Sequence, residues 1–174
     1  MNYLLLDQET DRLCFRALVK EDFNSWVPFF EDKEILTYFG IDTNLSQEQL
    51  CENWFAKVFY RYKNNLGGMN AIILKETGAL VGQCGLLIQT VEGKDRLEVG
   101  YSLLPQYRGF GYGTEAAVKC KEFAFENSLA EALMSMVHVD NKASEKVALK
   151  NGMQLESVIE YDGMMAKIYT IEKG

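Results

Sequence analysis

The amino-acid sequence predicts an α/β (α+β) fold: a mixed sheet of about seven strands with helices on both faces. Three observations carry that prediction. Strand-like segments come in runs as well as in alternation with helices, two tight turns join strand pairs, and one glycine-rich segment runs from a strand straight into a helix. A plain doubly wound parallel sheet would not contain two hairpins.

The elements follow in order. Arg12 to Leu18 alternates polar and apolar residues and reads as a strand. Lys20-Glu21-Asp22 opens a helical stretch, with Phe23, Trp26, Val27 and Phe30 at helical spacing. Ser46 and Gln49 form a capping box for a second helix. Its apolar stripe of Leu50, Trp54, Val58 and Tyr62 ends before Gly67-Gly68. The period then shortens: residues 70–75, a Thr77-Gly78 turn and residues 80–91 read as an antiparallel hairpin. After Glu92-Gly93-Lys94-Asp95, a strand runs from Arg96 to about Leu104 and stops at Pro105. The glycine-rich segment Arg108 to Gly113 leads into a helix over 114–127. A strand over 132–139 precedes a helix over 142–151, and strands over 154–160 and 165–171 flank an Asp162-Gly163 turn.

Bulk properties narrow the function. A chain of 174 residues with 48% apolar and 25% charged residues suits a single globular domain spanning 1–174. The start, Met1-Asn2-Tyr3-Leu4-Leu5-Leu6-Asp7, lacks the basic and apolar regions of a secretory leader. No stretch approaches the roughly 18 apolar residues of a spanning helix, so the expectation is a cytoplasmic protein without a membrane partner. A net charge of −7 disfavours nucleic acid and favours a cationic partner such as an amine or polyamine. Cys14, Cys51, Cys84 and Cys120 are far apart and His138 is the single histidine, which leaves little material for a metal site. Buried free thiols are the expectation.

The stretch Leu103-Leu-Pro-Gln-Tyr-Arg108-Gly109-Phe-Gly111-Tyr-Gly113-Thr114 carries the most information. Alternate glycines let backbone N–H groups turn toward a ligand, and the helix that follows adds its positive end. The segment therefore suits a phosphate or pyrophosphate. A Walker loop needs a lysine after its last glycine, and here Thr114-Glu115 follows Gly113. A dinucleotide fingerprint spaces its glycines G-x-G-x-x-G, which this loop does not.

With these residues in view, the sequence resembles the GCN5-related N-acetyltransferase superfamily from Thr10 to Ile171, and within it the branch of ribosomal-protein alanine N-acetyltransferases. The resemblance rests on Thr10-Asp-Arg-Leu-Cys-Phe-Arg, Gly82-Gln-Cys-Gly85, Glu98-Val-Gly-Tyr101, the Arg108 to Gly113 loop, Asn141-Lys-Ala-Ser144 and Gly152-Met153. It implies a mostly antiparallel sheet splayed in the middle and acetyl-CoA as co-substrate. The pyrophosphate would lie on the main chain of Arg108, Gly109, Phe110, Gly111, Tyr112, Gly113 and Thr114. The pantetheine arm would pair with Leu103 and Leu104, with Asn141 bonding it from the far side and Lys142 or Lys146 meeting the 3′-phosphate. A homodimer through sheet edges or the N-terminal helices is compatible with it.

Acetyl transfer to an amine requires deprotonation of the amine, support for a developing oxyanion and a proton for the departing thiolate. Alternation puts Arg96, Glu98, Gly100 and Ser102 on one strand face, which makes Glu98 the chosen base, acting directly or through water. Pairing of Glu98 with Arg96 or another base is the competing expectation. The oxyanion falls to an N–H near Leu103 or Leu104, where the strand is expected to bulge. Many relatives carry a tyrosine seven residues after the asparagine; Ala148 stands there, so Ser144 or a water becomes the proton donor. The acceptor is an amine of a small molecule or a protein N-terminus. A non-catalytic acyl-CoA-binding sensor is the alternative from another class.

Overall fold

The computed structural model describes residues 3–174; Met1 and Asn2, part of the start read above for a leader, lie outside them. Its strands are β1 (Leu13–Ala17), β2 (Gly67–Leu74), β3 (Leu80–Val91), β4 (Lys94–Leu103), β5 (Ala132–His138), β6 (Gln154–Tyr161) and β7 (Met164–Glu172). They form one sheet in the order β1-β2-β3-β4-β5-β7-β6. Every neighbouring pair is antiparallel except β4 and β5, which are parallel and meet at a single bridge, Glu98 with Met134. Beyond that bridge no pairing joins β4 to β5, so the sheet opens toward the C-terminal ends of both strands.

The helices are α1 (Phe23–Trp26), α2 (Lys33–Tyr38), α3 (Gln47–Lys63), α4 (Tyr112–Glu126) and α5 (Lys142–Lys150). Period-two alternation in the strands feeds two separate cores. On one face Ile72, Leu86, Leu97 and Val99 pack with Ala116, Ala117 and Cys120 of α4 and Ala148 of α5. On the other, Met69, Ala71 and Leu87 meet Trp26, Phe29 and Phe30, with Leu36 of α2 and Leu50, Phe55 and Val58 of α3. Both faces of the middle strands are covered, as the near-continuous apolar run of β3 requires. Helices thus lie on both faces of a mostly antiparallel sheet, as the sequence predicts.

Four local expectations are corrected. The stretch from Lys20 is not one helix: 3-10 turns at 20–22 and 27–31 flank the four-residue α1. Pro28 has no N–H to donate and disfavours helical geometry in the residue before it. A further helix, α2, follows, with the Asp32 carboxylate accepting from the Ile35 amide at 3.2 Å. The β3–β4 connection is a two-residue turn at Glu92-Gly93, both at positive φ, so β4 begins at Lys94. Gly67-Gly68 belongs to β2, where the strands crowd: a Cβ on Gly85 would stand 2.0 Å from the Gly68 carbonyl oxygen. That contact explains the glycine in Gly82-Gln-Cys-Gly85. Finally, α4 starts at Tyr112, two residues before the expected Thr114.

Candidate active site

The opening between β4 and β5 organises the site. Leu104 N–H donates to the Val81 carbonyl at 3.0 Å. The antiparallel ladder alternates from there, so the amides of Tyr101 and Leu103 point to the opposite edge, into the opening. This corrects the expectation that Leu104 offers its amide: that hydrogen is held by β3, and Leu103 supplies the free one. The expected bulge is also absent, since β4 stays in unbroken register with β3 from Lys94 to Leu103. The opening arises because β5 turns away, not because β4 is deformed.

Beyond β4 the chain makes a 3-10 turn at Pro105–Tyr107 and enters the glycine loop. Arg108 N–H is taken by the Pro105 carbonyl at 3.3 Å, which removes it from the predicted set of amide donors. The next six amides, residues 109–114, have no protein acceptor among the described residues. Gly109 and Gly111 adopt φ of +86° and +85°, a region costly for any residue with a Cβ. Gly111 is the N-cap of α4 and has no side chain to cap it, so the first-turn amides stay open with the helix dipole behind them. These groups form a concave, neutral anion site on an acidic protein.

The N-terminal Thr10-Asp-Arg segment holds this loop in shape. Arg12 donates to the Phe110 carbonyl at 3.0 Å, pairs with Glu115 at 2.6 Å and lies 4.5 Å over the Tyr112 ring. Thr10 Oγ1 donates to Glu115 at 2.5 Å. Partial burial pushes the Glu115 carboxyl up, but the Thr10 and Arg12 donors outweigh it and hold it below the usual range. The one acid in the first turn of α4 is thereby neutralised away from the amides. Arg108 sends its side chain elsewhere than to the loop: Nη1 pairs with Asp32 at 2.5 Å and Nε donates to the Leu103 carbonyl at 3.1 Å. Phe110 is exposed and stacks on Tyr112.

On the sheet face toward α3 the opening continues into a cavity of about 550 Å³ whose lining includes Glu98, Ser102, His138, Asn141 and Ser144. Glu98 accepts from Gln89 Nε2 at 2.8 Å and from the Met136 amide at 3.3 Å. Burial pushes its carboxyl up; those donors and the charges of Arg61 and Lys57 pull the other way without cancelling the burial. A carboxyl poised above its ordinary value is suited to proton transfer near neutrality. Arg96 is not its partner, because that guanidinium reaches Glu156 at 2.7 Å. On α5, Asn141 Oδ1 accepts from the Ser144 amide at 3.1 Å, which orients the side chain and leaves both Nδ2 hydrogens to donate to a ligand. The Ser144 hydroxyl has no partner among the described residues, and Tyr101 OH donates to the Ser144 carbonyl at 2.7 Å. Ala148 is buried. Lys142 pairs with Glu145 at 3.1 Å, whereas Lys146 is exposed and forms no ion pair among the described residues. His138 stacks on Tyr38 and accepts the Asp140 amide on Nδ1 at 3.2 Å, which leaves Nε2 as the protonated nitrogen of the neutral ring.

Three functional positions escaped the sequence reading. Gln89 sits diagonally across the ladder from Glu98, and reading Glu92-Gly93 as a two-residue turn would have exposed that pairing. Arg12 and Asp32 act through contacts more than 70 residues away in sequence, which no local pattern reveals.

A sheet opened between two parallel strands, a run of open amides after β4 and a raised carboxyl in the adjoining cavity are the features of this site. The chain belongs to the acetyltransferase (GNAT) domain family, whose model matches residues 12–154. It is 30% identical to the uncharacterized protein YkkB of Bacillus subtilis (strain 168), over 86% of each chain. It is 28% identical to the N-acetyltransferase YoaA of the same organism, over 87% of this chain and 84% of that one. Among solved structures, an acetyltransferase from Agrobacterium tumefaciens str. C58 superposes with a TM-score of 0.79 at 26% identity, covering 99% of this chain and 97% of that one. The fold is shared at lower identity by the ribosomal L7/L12 acetyltransferase RimL in complex with coenzyme A (16%, TM-score 0.75, 95% and 97% covered). It is also shared by a Vibrio cholerae spermidine N-acetyltransferase in complex with CoA and spermine (17%, TM-score 0.73, 94% and 97% covered).

Proposed function

We propose that the chain is a single cytoplasmic N-acetyltransferase domain that moves acetyl from acetyl-CoA to a primary amine by direct attack. The observation that carries this reading is the run of six amides at 109–114 without an acceptor among the described residues, reached directly from the end of β4, the strand that carries Glu98. Those amides would hold the pyrophosphate, and the Leu103 N–H group with Asn141 Nδ2 would hold the arm. Lys146, free of ion pairs among the described residues, would meet the 3′-phosphate. When bound, acetyl-CoA supplies an already activated thioester.

The chain's residues then have three tasks. Glu98 takes the proton from the attacking ammonium, which its raised proton affinity favours. The Tyr101 amide, nearer Glu98 on the same open edge, donates to the carbonyl oxygen as charge develops there. The Ser144 hydroxyl, at the first turn of α5, relays the second proton of the nitrogen to the sulfur as the C–S bond breaks, taking one proton as it gives one. RimL, a protein α-N-acetyltransferase, and the spermidine N-acetyltransferase both act on amines, which supports an amine acceptor here. A thiol-release assay with acetyl-CoA against amines and peptides tests the proposal. Release that depends on both acetyl-CoA and an amine is expected. Tight coenzyme A binding without turnover of any amine would make the chain an acyl-CoA-binding module instead.

A further inference from the structure

Resting on that acetyltransferase reading, we propose that the acceptor is a primary amine on an apolar body that also carries a carboxylate, an apolar α-amino acid in its simplest form. Lys57 is the residue that selects it. Helix α3 turns Asn53, Lys57 and Arg61 to the cavity at i, i+4 and i+8. Arg61 is 8% exposed and forms no ion pair among the described residues. Its Nη2 donates to the Leu66 and Ile88 carbonyls at 3.0 and 2.6 Å, and its Nε is enclosed with no partner. Lys57 is exposed and has no partner among the described residues, yet it stands close enough for its charge to act on Glu98.

Glu98 is the one acid deep in the cavity, and its oxygens already accept from Gln89 and Met136. The α3 wall and the floor therefore set two cations against a single carboxylate that must also serve the amine. Arg61, the buried cation of the two, favours an added anion, and Lys57 stands exposed on the same wall to meet it. The other lining acids, Asp42 and Asp162, are exposed to solvent, and Asp42 Oδ1 is occupied by Asn44. A polyamine laid with one nitrogen at Glu98 would bring its next ammonium against Lys57 and Arg61. An α-amino acid instead sets its nitrogen at the Glu98 floor and its carboxylate, one carbon away, toward the Lys57 wall. The remaining surface is apolar and soft, with Trp54, Leu87, Met69, Met136 and Met164, and about 550 Å³ admits a large side chain.

The test measures kcat/KM by thiol release for L-phenylalanine, L-phenylalaninamide, phenethylamine and spermidine. The acid should exceed its amide by about tenfold, the strength of one charge-assisted contact, and spermidine should be the poorest of the four. Lys57→Ala should erase the acid-over-amide ratio and Lys57→Glu should invert it, while both keep the parent melting temperature. The proposal is overturned if spermidine is preferred, if the amide matches the acid, if the ratio ignores both Lys57 substitutions, or if none of the four reacts. Calorimetry with coenzyme A separates the two readings. Absence of binding sinks the acetyltransferase assignment, whereas binding together with any overturning outcome sinks this inference alone.

Discussion

Replacing Glu98 by glutamine should remove catalysis while leaving the fold and coenzyme A binding in place. Glutamine has the same shape, but one of its terminal atoms is a donor. The Met136 amide can only donate, so the new carbonyl must face it. The new NH₂ then faces Gln89, whose own amide can rotate to present oxygen. No buried donor is stranded, so stability should change by less than about 1 kcal/mol at low pH. The linkage sign follows from the raised carboxyl. Its contribution to stability is complete below the unfolded-state value and is lost as pH rises through the higher folded value. Glu98→Gln should therefore melt higher than the parent at pH 7, and the gain should vanish by about pH 4. Loss of a general base lowers the rate by about 10²–10⁴, or about 3–5 kcal/mol of barrier. In the parent, kcat/KM should rise with pH through the raised carboxyl value, and the variant should lose that limb. Retention of kcat/KM within threefold at pH 7 by a variant that binds coenzyme A normally would refute Glu98 as the base.

Asp22 should matter for stability with the opposite pH sense. It is buried and takes both terminal nitrogens of Arg16 at 2.7 Å plus the Val19 amide at 3.0 Å. Burial pushes its carboxyl up, but these donors outweigh it and depress it. Its stabilisation is present above the ordinary carboxylate value and lost as pH falls through the depressed one. Asp22→Asn should cost about 1–3 kcal/mol in urea denaturation at pH 7, with the difference shrinking at pH 3. Gly111→Val forces a β-branched residue to φ near +85° with its Cβ 3.4 Å from Arg12 Nη2. Coenzyme A affinity measured by calorimetry should fall at least about tenfold, and unchanged affinity would show that the loop does not hold the ligand. Native thiols should be largely inert: Cys51 is pushed up to about 12 by burial, and Cys120 is raised well above its ordinary value by burial and by Cys84, whose Sγ is 3.3 Å away. Iodoacetamide at pH 8 should mark Cys14, the half-buried one, first; equal labelling of all four by mass spectrometry would contradict the buried assignment.

The parts of this molecule that were legible in the sequence are those governed by near neighbours. Alternation along β4 placed Glu98 on the cavity face, because side-chain direction in a strand depends only on parity. The Asp162-Gly163 turn and the Ser46–Gln49 cap follow from residue types within four positions, and both form as expected. The shape of the glycine loop was legible because alternate glycines just before a helix allow the positive φ that Gly109 and Gly111 adopt. What escaped depends on distance in the chain. The fate of the Leu104 amide is decided by Val81, and that of the Arg108 side chain by Asp32. Helix α2 was hidden because its six residues are too short for a periodic signal and owe their order to the Asp32 cap and the aromatic cluster around Phe29 and Trp54. Lys57 looked like any solvated lysine until the fold set it beside Glu98.

The central claim is that main-chain hydrogens of residues 109–114 receive the diphosphate. Proton–nitrogen correlation spectra of the ¹⁵N-labelled protein during titration with coenzyme A test it most directly. Those six amides should move downfield together and saturate with the calorimetric affinity, while the amides of Arg108 and Leu104, already bonded within the protein, should move little. Binding that leaves the signals of 109–114 in place and shifts another region would contradict the account.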